Sequence, residues 1–142
     1  MDNAYNPITG EDPLPYSELA HLFLSIRTQI KLYHWQTRIY ARHKATDRFL
    51  DTFEPLVDRF VEAAQGIIGN KRIESLEKLN VKQRRPIETF LWETPTDETA
   101  PSFLRHFRTH IVHLKLPQSE LAQIRDDMLE IADVTLYLFT LE

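Results

Sequence analysis

Apolar residues recur at helical spacing along four long stretches of this chain, and this recurrence limits the fold more than any other feature. In the first stretch the apolar stripe consists of Leu19, Leu22, Phe23, Ile26, Ile30 and Tyr33. The chain also has only three glycines, too few for the many tight turns of an all-β fold. The pattern therefore predicts an all-α protein.

The four predicted helices cover residues 17–38, 43–69, 101–115 and 119–140, and little or no β-sheet is expected. Between the second and third helices lies a long connection, with a short helix predicted around Ile73–Leu79. An apolar cluster at Phe90–Trp92 is expected to cover the bundle. Pro55 has no backbone N–H and predicts a kink or a break in the second helix. Two long helices, a long connection and two more helices are typical of a four-helix bundle with a crossover.

Residues 1–15 contain three prolines and a glycine, which predicts an extended N-terminal tail, and residues 16–142 are expected to form one domain. The N-terminal segment does not resemble a secretory signal, and no stretch is long and apolar enough for a membrane span. We therefore expect a soluble, cytoplasmic protein.

Charge and composition argue against several functional classes. The formal charge of −4 and a tail without Lys or Arg disfavour phosphate binding, so DNA binding is not expected. The absence of cysteine excludes disulfides and thiolate zinc sites.

An acidic stripe follows the second predicted helix beside its apolar face, and consists of Asp47, Asp51, Glu54, Asp58 and Glu62. His43 lies one helical turn before Asp47, and His34 lies at the edge of the apolar stripe of the first helix. Imidazoles combined with carboxylates suit Fe(II), Mn(II) or Zn(II). A solvated helix face has the same pattern, so periodicity alone leaves both interpretations open.

Several short motifs in this region resemble a known family. They are His34-Trp35, then His43 with Asp47, and then Asp58 with Glu62. Segment 30–66 resembles Dps, the miniferritin family of DNA-binding proteins from starved cells, which shares these pairs and the interval from His43 to Asp58. The stretch YHWQTRIYARHKATD is also similar to an uncharacterised Dps-like group associated with large DNA viruses and phages. The resemblance implies a ferritin-like four-helix bundle with a long connection between helices two and three.

The resemblance also implies a function, namely oxidation of Fe(II) and storage or detoxification of iron by a homo-oligomer that is at least a dimer. His34, His43, Asp58 and Glu62 would be the catalytic ferroxidase residues, and Asp47 would join them as a metal ligand. Asp58 and Glu62 would come from the two-fold partner of the chain that supplies the histidines. Zinc or manganese could take the place of iron. The alternative is a non-enzymatic structural or assembly protein, such as a virion component, located in the virion or the host cytoplasm.

Three further histidines, His106, His110 and His113, share one face of the third predicted helix. They alternate with apolar residues such as Phe107, which favours exposed or core-edge positions over a metal site.

Overall fold

The chain forms five α-helices in a computed structural model that describes residues 16–69 and 72–141. They are α1 (Tyr16–Gln36), α2 (Tyr40–Ile68), α3 (Val81–Leu91), α4 (Ala100–Val112) and α5 (Ser119–Leu138), with a 3₁₀ turn at Leu76–Lys78. The described residues contain no β-strand, which confirms the all-α prediction. None of these helices is long and apolar enough to cross a membrane. The predicted N-terminal tail, residues 1–15, lies outside the described residues.

Helix α2 continues through Pro55 without a break. The proline is exposed, whereas Phe53 and Leu56 beside it are buried in the core, so packing on both sides keeps the helix intact despite the missing hydrogen bond. The helix ends at Gly69, as predicted, where a positive φ of 87° is a conformation that favours glycine.

The helix predicted within the long connection was placed at the wrong residues. The expected helix at Ile73–Leu79 is only the short 3₁₀ turn, and α3 begins instead after Asn80. Asn80 Oδ1 accepts from the Gln83 backbone N–H at 2.8 Å, while Gln83 Oε1 accepts from the Asn80 N–H at 2.8 Å. This reciprocal capping box satisfies two backbone donors and starts the helix there.

The apolar cluster predicted to cover the bundle does so only in part. Phe90 is buried, but Leu91 and Trp92 are exposed, because a helix directs successive side chains to different faces. The side chain of Trp92 therefore lies on the surface of the chain.

One hydrophobic core runs through the described helices. Helix α2 packs against α1 and α5, α5 packs against α4, and α3 packs against α1. The buried ring of Phe23 on α1 makes edge-to-face contacts with Phe53 and Phe60 of α2 and with Phe107 of α4, at centroid distances of 6.2, 5.2 and 6.5 Å. These contacts hold α1 and α2 as an antiparallel hairpin, which fixes the position of the residues at its turn.

Candidate metal centre

The turn between α1 and α2 brings His34 and His43 into contact. Only residues 37–39 separate the two helices, so the last turn of α1 lies beside the first turn of α2. The two imidazole rings stack with centroids 4.0 Å apart and planes 17° from parallel. The two histidines that the sequence predicted in one site thus form a pair within one chain.

Reciprocal hydrogen bonds fix the tautomer of each ring. His34 Nδ1 lies 2.9 Å from the carbonyl oxygen of His43, and His43 Nδ1 lies 3.0 Å from the carbonyl oxygen of His34. Since a carbonyl oxygen only accepts, each Nδ1 carries the hydrogen and donates it. In the neutral imidazoles both Nε2 atoms then keep a lone pair, which is the form that binds a metal ion.

Thr46 adds a second acceptor for His34. Its Oγ1 lies 2.9 Å from His34 Nδ1, and its own hydroxyl hydrogen is donated to the Arg42 carbonyl at 2.8 Å. His34 is 7% exposed, and this burial lowers its pKa, with a further lowering from the positive charge that His43 would carry when protonated. The ring of His34 is therefore neutral at physiological pH.

Asp47 lies one turn beyond His43 on α2 and is exposed. The negative charge of Asp47 raises the pKa of His34. This effect is smaller than the lowering by burial and by His43. The histidine pair and Asp47 thus occupy the same corner of the molecule. In the described residues, however, no three His, Asp or Glu side chains form a group that could hold a metal ion. The described part of one chain therefore does not bring the predicted ligands together.

Asp58 and Glu62 lie further along the exposed face of α2. Asp58 is fifteen positions after His43, which corresponds to about 22 Å along a helix. Asp58 borders a cleft of about 150 Å³ that Leu24 and the ion pair of Arg27 with Glu54 also line. A single chain therefore does not bring these two carboxylates to the histidines.

A polar network that the sequence did not predict lies next to the pair. It consists of Tyr33, Thr37, Arg42 and Asp97, and we call it the Asp97 network. The Tyr33 hydroxyl and the Thr37 hydroxyl both donate to Asp97 Oδ1, at 2.8 and 2.5 Å. Arg42 Nη1 donates to the Tyr33 hydroxyl oxygen at 3.1 Å and to the Asp97 carbonyl. These bonds tie the α3–α4 loop to both helices of the hairpin.

The titration properties of the Asp97 network follow from its hydrogen bonds. The bond from Thr37 is the main cause that lowers the pKa of Asp97, and the bond from Tyr33 adds to it. Burial raises the pKa of Tyr33. At physiological pH the network therefore holds a carboxylate and a neutral phenol.

Residues 34–139 match a family of unknown function, DUF5856. The chain belongs to this family. Its matched segment begins at His34 and extends over His43, Asp47, Asp58 and Glu62. No curated protein and no solved structure matches the chain.

The histidines of α4 lie apart from this centre and around Phe90. The Phe90 ring centroid is 4.7 Å from that of His106 and 6.2 Å from that of His110. Burial is the main cause that lowers the pKa of His110, and His106 lowers it further. His106 also lines a cavity of about 530 Å³, together with Trp92 and Phe103. These positions fit the core-edge and exposed residues that the sequence favoured.

Sequence reasoning missed Thr46 beside the histidine pair, and it missed Thr37, Arg42 and Asp97 of the Asp97 network. Thr46 follows His43 by three positions, so it lies on the same helix face, and this spacing could have indicated it. Asp97 is sixty-four positions from Tyr33, and no local pattern marks such a contact.

Proposed function

We propose that this chain is a Dps-like miniferritin that oxidises Fe(II) at a site between two subunits and stores or detoxifies the iron. The stacked histidine pair is the observation that supports the proposal most strongly. His34 and His43 both use Nδ1 as a donor to a backbone carbonyl, which leaves both Nε2 atoms free to bind a metal ion. A pair that served packing alone would not require this arrangement.

The helix packing supports a ferritin-like bundle. The four longest helices are α1, α2, α4 and α5, and residues 69–99 form the long connection between α2 and α4. Helix α3 lies within this connection and packs against α1. This order supports the proposal of a crossover bundle.

A two-fold partner would complete the site. If two α2 helices lay antiparallel about an axis near Asp51, the His43 end of one helix would face the Asp58 and Glu62 end of the other. Trp35 and Tyr40 are 66% and 73% exposed at the histidine end, and such a partner would cover them. The acidic stripes of the two chains would repel each other, and a bound cation would offset that repulsion.

Iron is the substrate in this scheme. Neutral imidazole nitrogens of His34 and His43 bind Fe(II) without adding charge, and Asp47, Asp58 and Glu62 supply oxygen ligands that favour the more highly charged Fe(III). With hydrogen peroxide as oxidant, two Fe(II) ions each lose one electron, and the peroxide becomes two hydroxide ions. Zinc would occupy the same ligands without this reaction, because Zn(II) has no redox chemistry, and manganese could also take the place of iron.

The test compares three variants in ferrous oxidation and iron uptake. Glu62→Gln keeps the size of the side chain and removes its charge, so the oxidation rate should fall steeply. His34→Ala should lower it similarly. Asp51→Asn is the matched control, since Asp51 lies on the same exposed stripe but outside the proposed ligand set. Because Asp51 lies near the proposed axis, the oligomer size of each variant is compared with that of wild type. Equal oxidation by wild type and Glu62→Gln would rule out the catalytic proposal.

A non-enzymatic assembly protein remains the second candidate, because the surface carries large exposed apolar side chains. Val81 at the start of α3 is 61% exposed and Trp92, the residue after its end, is 79% exposed, in addition to the aromatic residues beside the histidines. Exposed aromatic side chains such as that of Trp92 are enriched in protein interfaces. An oligomer of unchanged size with and without iron, and without oxidation activity, would favour this candidate.

A further inference from the structure

We infer that the Asp97 network is the positioning device of the histidine pair, and that Tyr33 and Asp97 act on metal binding through it without touching the metal. This inference rests on the proposed function for its consequence, which is metal affinity. The geometric part, control of the pair by the network, can be measured without any metal.

The histidine pair and the Asp97 network involve the same two backbone segments. Tyr33 directly precedes His34 on α1, and Arg42 directly precedes His43 on α2. Each histidine ring bonds to the backbone carbonyl of the other histidine, so the spacing between the two backbones sets the geometry of the pair. The network spans the same gap through the bond from Arg42 Nη1 to the Tyr33 hydroxyl.

Asp97 fixes the turn between the helices as well as their ends. Its carboxylate accepts from Tyr33 and from Thr37, which lies in the turn itself. Its carbonyl accepts from Arg42. A single residue from the distant α3–α4 loop thus contacts the helix before the turn, the turn, and the helix after it.

Phe139, the residue that follows α5, packs against the network. The Arg42 guanidinium lies 4.9 Å from the Phe139 ring centroid, and the Tyr33 ring meets the same ring edge-on at 6.1 Å. Tyr33 is fully buried and Phe139 is 6% exposed. The network is therefore held on a packed surface, which makes it rigid enough to locate the two backbones.

Tyr33→Phe is the sharpest test, because it keeps the buried ring and removes only the hydroxyl at the centre of the network. Tyr16→Phe is the matched control, since it removes the hydroxyl of an equally buried tyrosine at the opposite end of α1. Asp97→Asn is a second variant that weakens the network while keeping an oxygen acceptor. All three should be checked for helix content before use.

The first measurement is the tautomer of each histidine, read from ¹⁵N–¹H ring correlations of the metal-free protein at mildly alkaline pH. Wild type and Tyr16→Phe should show the hydrogen on Nδ1 of both His34 and His43. Tyr33→Phe should show a mixture of tautomers at both rings. The second measurement is Co(II) affinity by titration, which should fall about tenfold in Tyr33→Phe and stay at the wild-type value in Tyr16→Phe.

The outcomes separate the two proposals. If Tyr33→Phe and Asp97→Asn keep single Nδ1–H tautomers and wild-type Co(II) affinity, the positioning inference is wrong. If wild type shows the expected tautomers but neither binds Co(II) nor oxidises Fe(II), the proposed function is wrong, and the tautomer comparison still decides the positioning of the pair.

Discussion

Two inactive variants should restore activity to each other if the metal site lies between subunits. The pair is His34→Ala in one protomer and Glu62→Gln in the other. A two-fold dimer contains two equivalent sites. In the mixed dimer one site carries both substitutions, and the other combines an unaltered His34 with an unaltered Glu62. About half of the wild-type oxidation rate per dimer should therefore return.

The expected magnitude follows from the length of α2. Asp58 is about 22 Å beyond His43 along the helix, whereas metal–ligand bonds to nitrogen and oxygen are about 2.0–2.2 Å. No rotamer change spans that gap within one chain. Each parent homodimer lacks one ligand at both of its sites, so neither parent should show the activity that the mixed dimer recovers.

The assay uses two affinity tags and sequential purification of the mixed dimer, followed by anaerobic loading with Fe(II) and addition of peroxide. Ferric absorbance then gives the rate per dimer. The control mixes His34→Ala with His43→Ala, because both residues lie on the same side of the proposed site and no intact site can form. A His34→Ala and Glu62→Gln mixture as inactive as its parents would refute the inter-subunit arrangement.

Two predictions concern stability against pH. Hydrogen bonds, chiefly from Thr37, lower the pKa of Asp97 below 3.8 in the folded state. The ionised carboxylate therefore stabilises the fold above pH 3.8, and this stabilisation is lost as the pH falls through the folded-state pKa. In urea denaturation the stability gap between wild type and Asp97→Asn should narrow on acidification; parallel curves would contradict this. Burial lowers the pKa of His110 below 6.5, so the unfolded state takes up a proton first and stability falls as pH drops through 6.5. His110→Leu should reduce the loss of melting temperature between neutral and acidic pH, and an unchanged loss would show that His110 does not titrate on unfolding.

The four longest helices could be predicted from the sequence because each presents an apolar stripe long enough to show its period. Helix α3 could not, since only Ile87 and Phe90 of its residues are buried and Pro86 lies between the cap and these positions. The deciding signal was the reciprocal bond of Asn80 with Gln83, which depends on side-chain orientation. A short helix with two buried residues has too little periodicity to be recognised.

Some contacts of the candidate site could likewise be predicted from the sequence, and others could not. The contact of His34 with His43 follows from local sequence, because a short turn joins the two helix ends on which they lie. The contact of Asp97 with Tyr33 depends on the tertiary path of a long connection. The meeting of these histidines with Asp58 would depend on the symmetry of an assembly, which one chain does not encode in any local pattern.

The histidine pair is also a poor choice for packing alone. A leucine at position 34 would bury more apolar surface and would not titrate. The imidazole of His34 instead makes the folded protein less stable below pH 6.5, because burial and His43 disfavour its charged form. Two acceptors, the His43 carbonyl and Thr46 Oγ1, lie at the His34 ring, and one, the His34 carbonyl, lies at the His43 ring, and core packing needs none of them. Local choices that oppose stability are expected where a site has a function. This cost to stability supports the ligand role that we propose for His34 and His43.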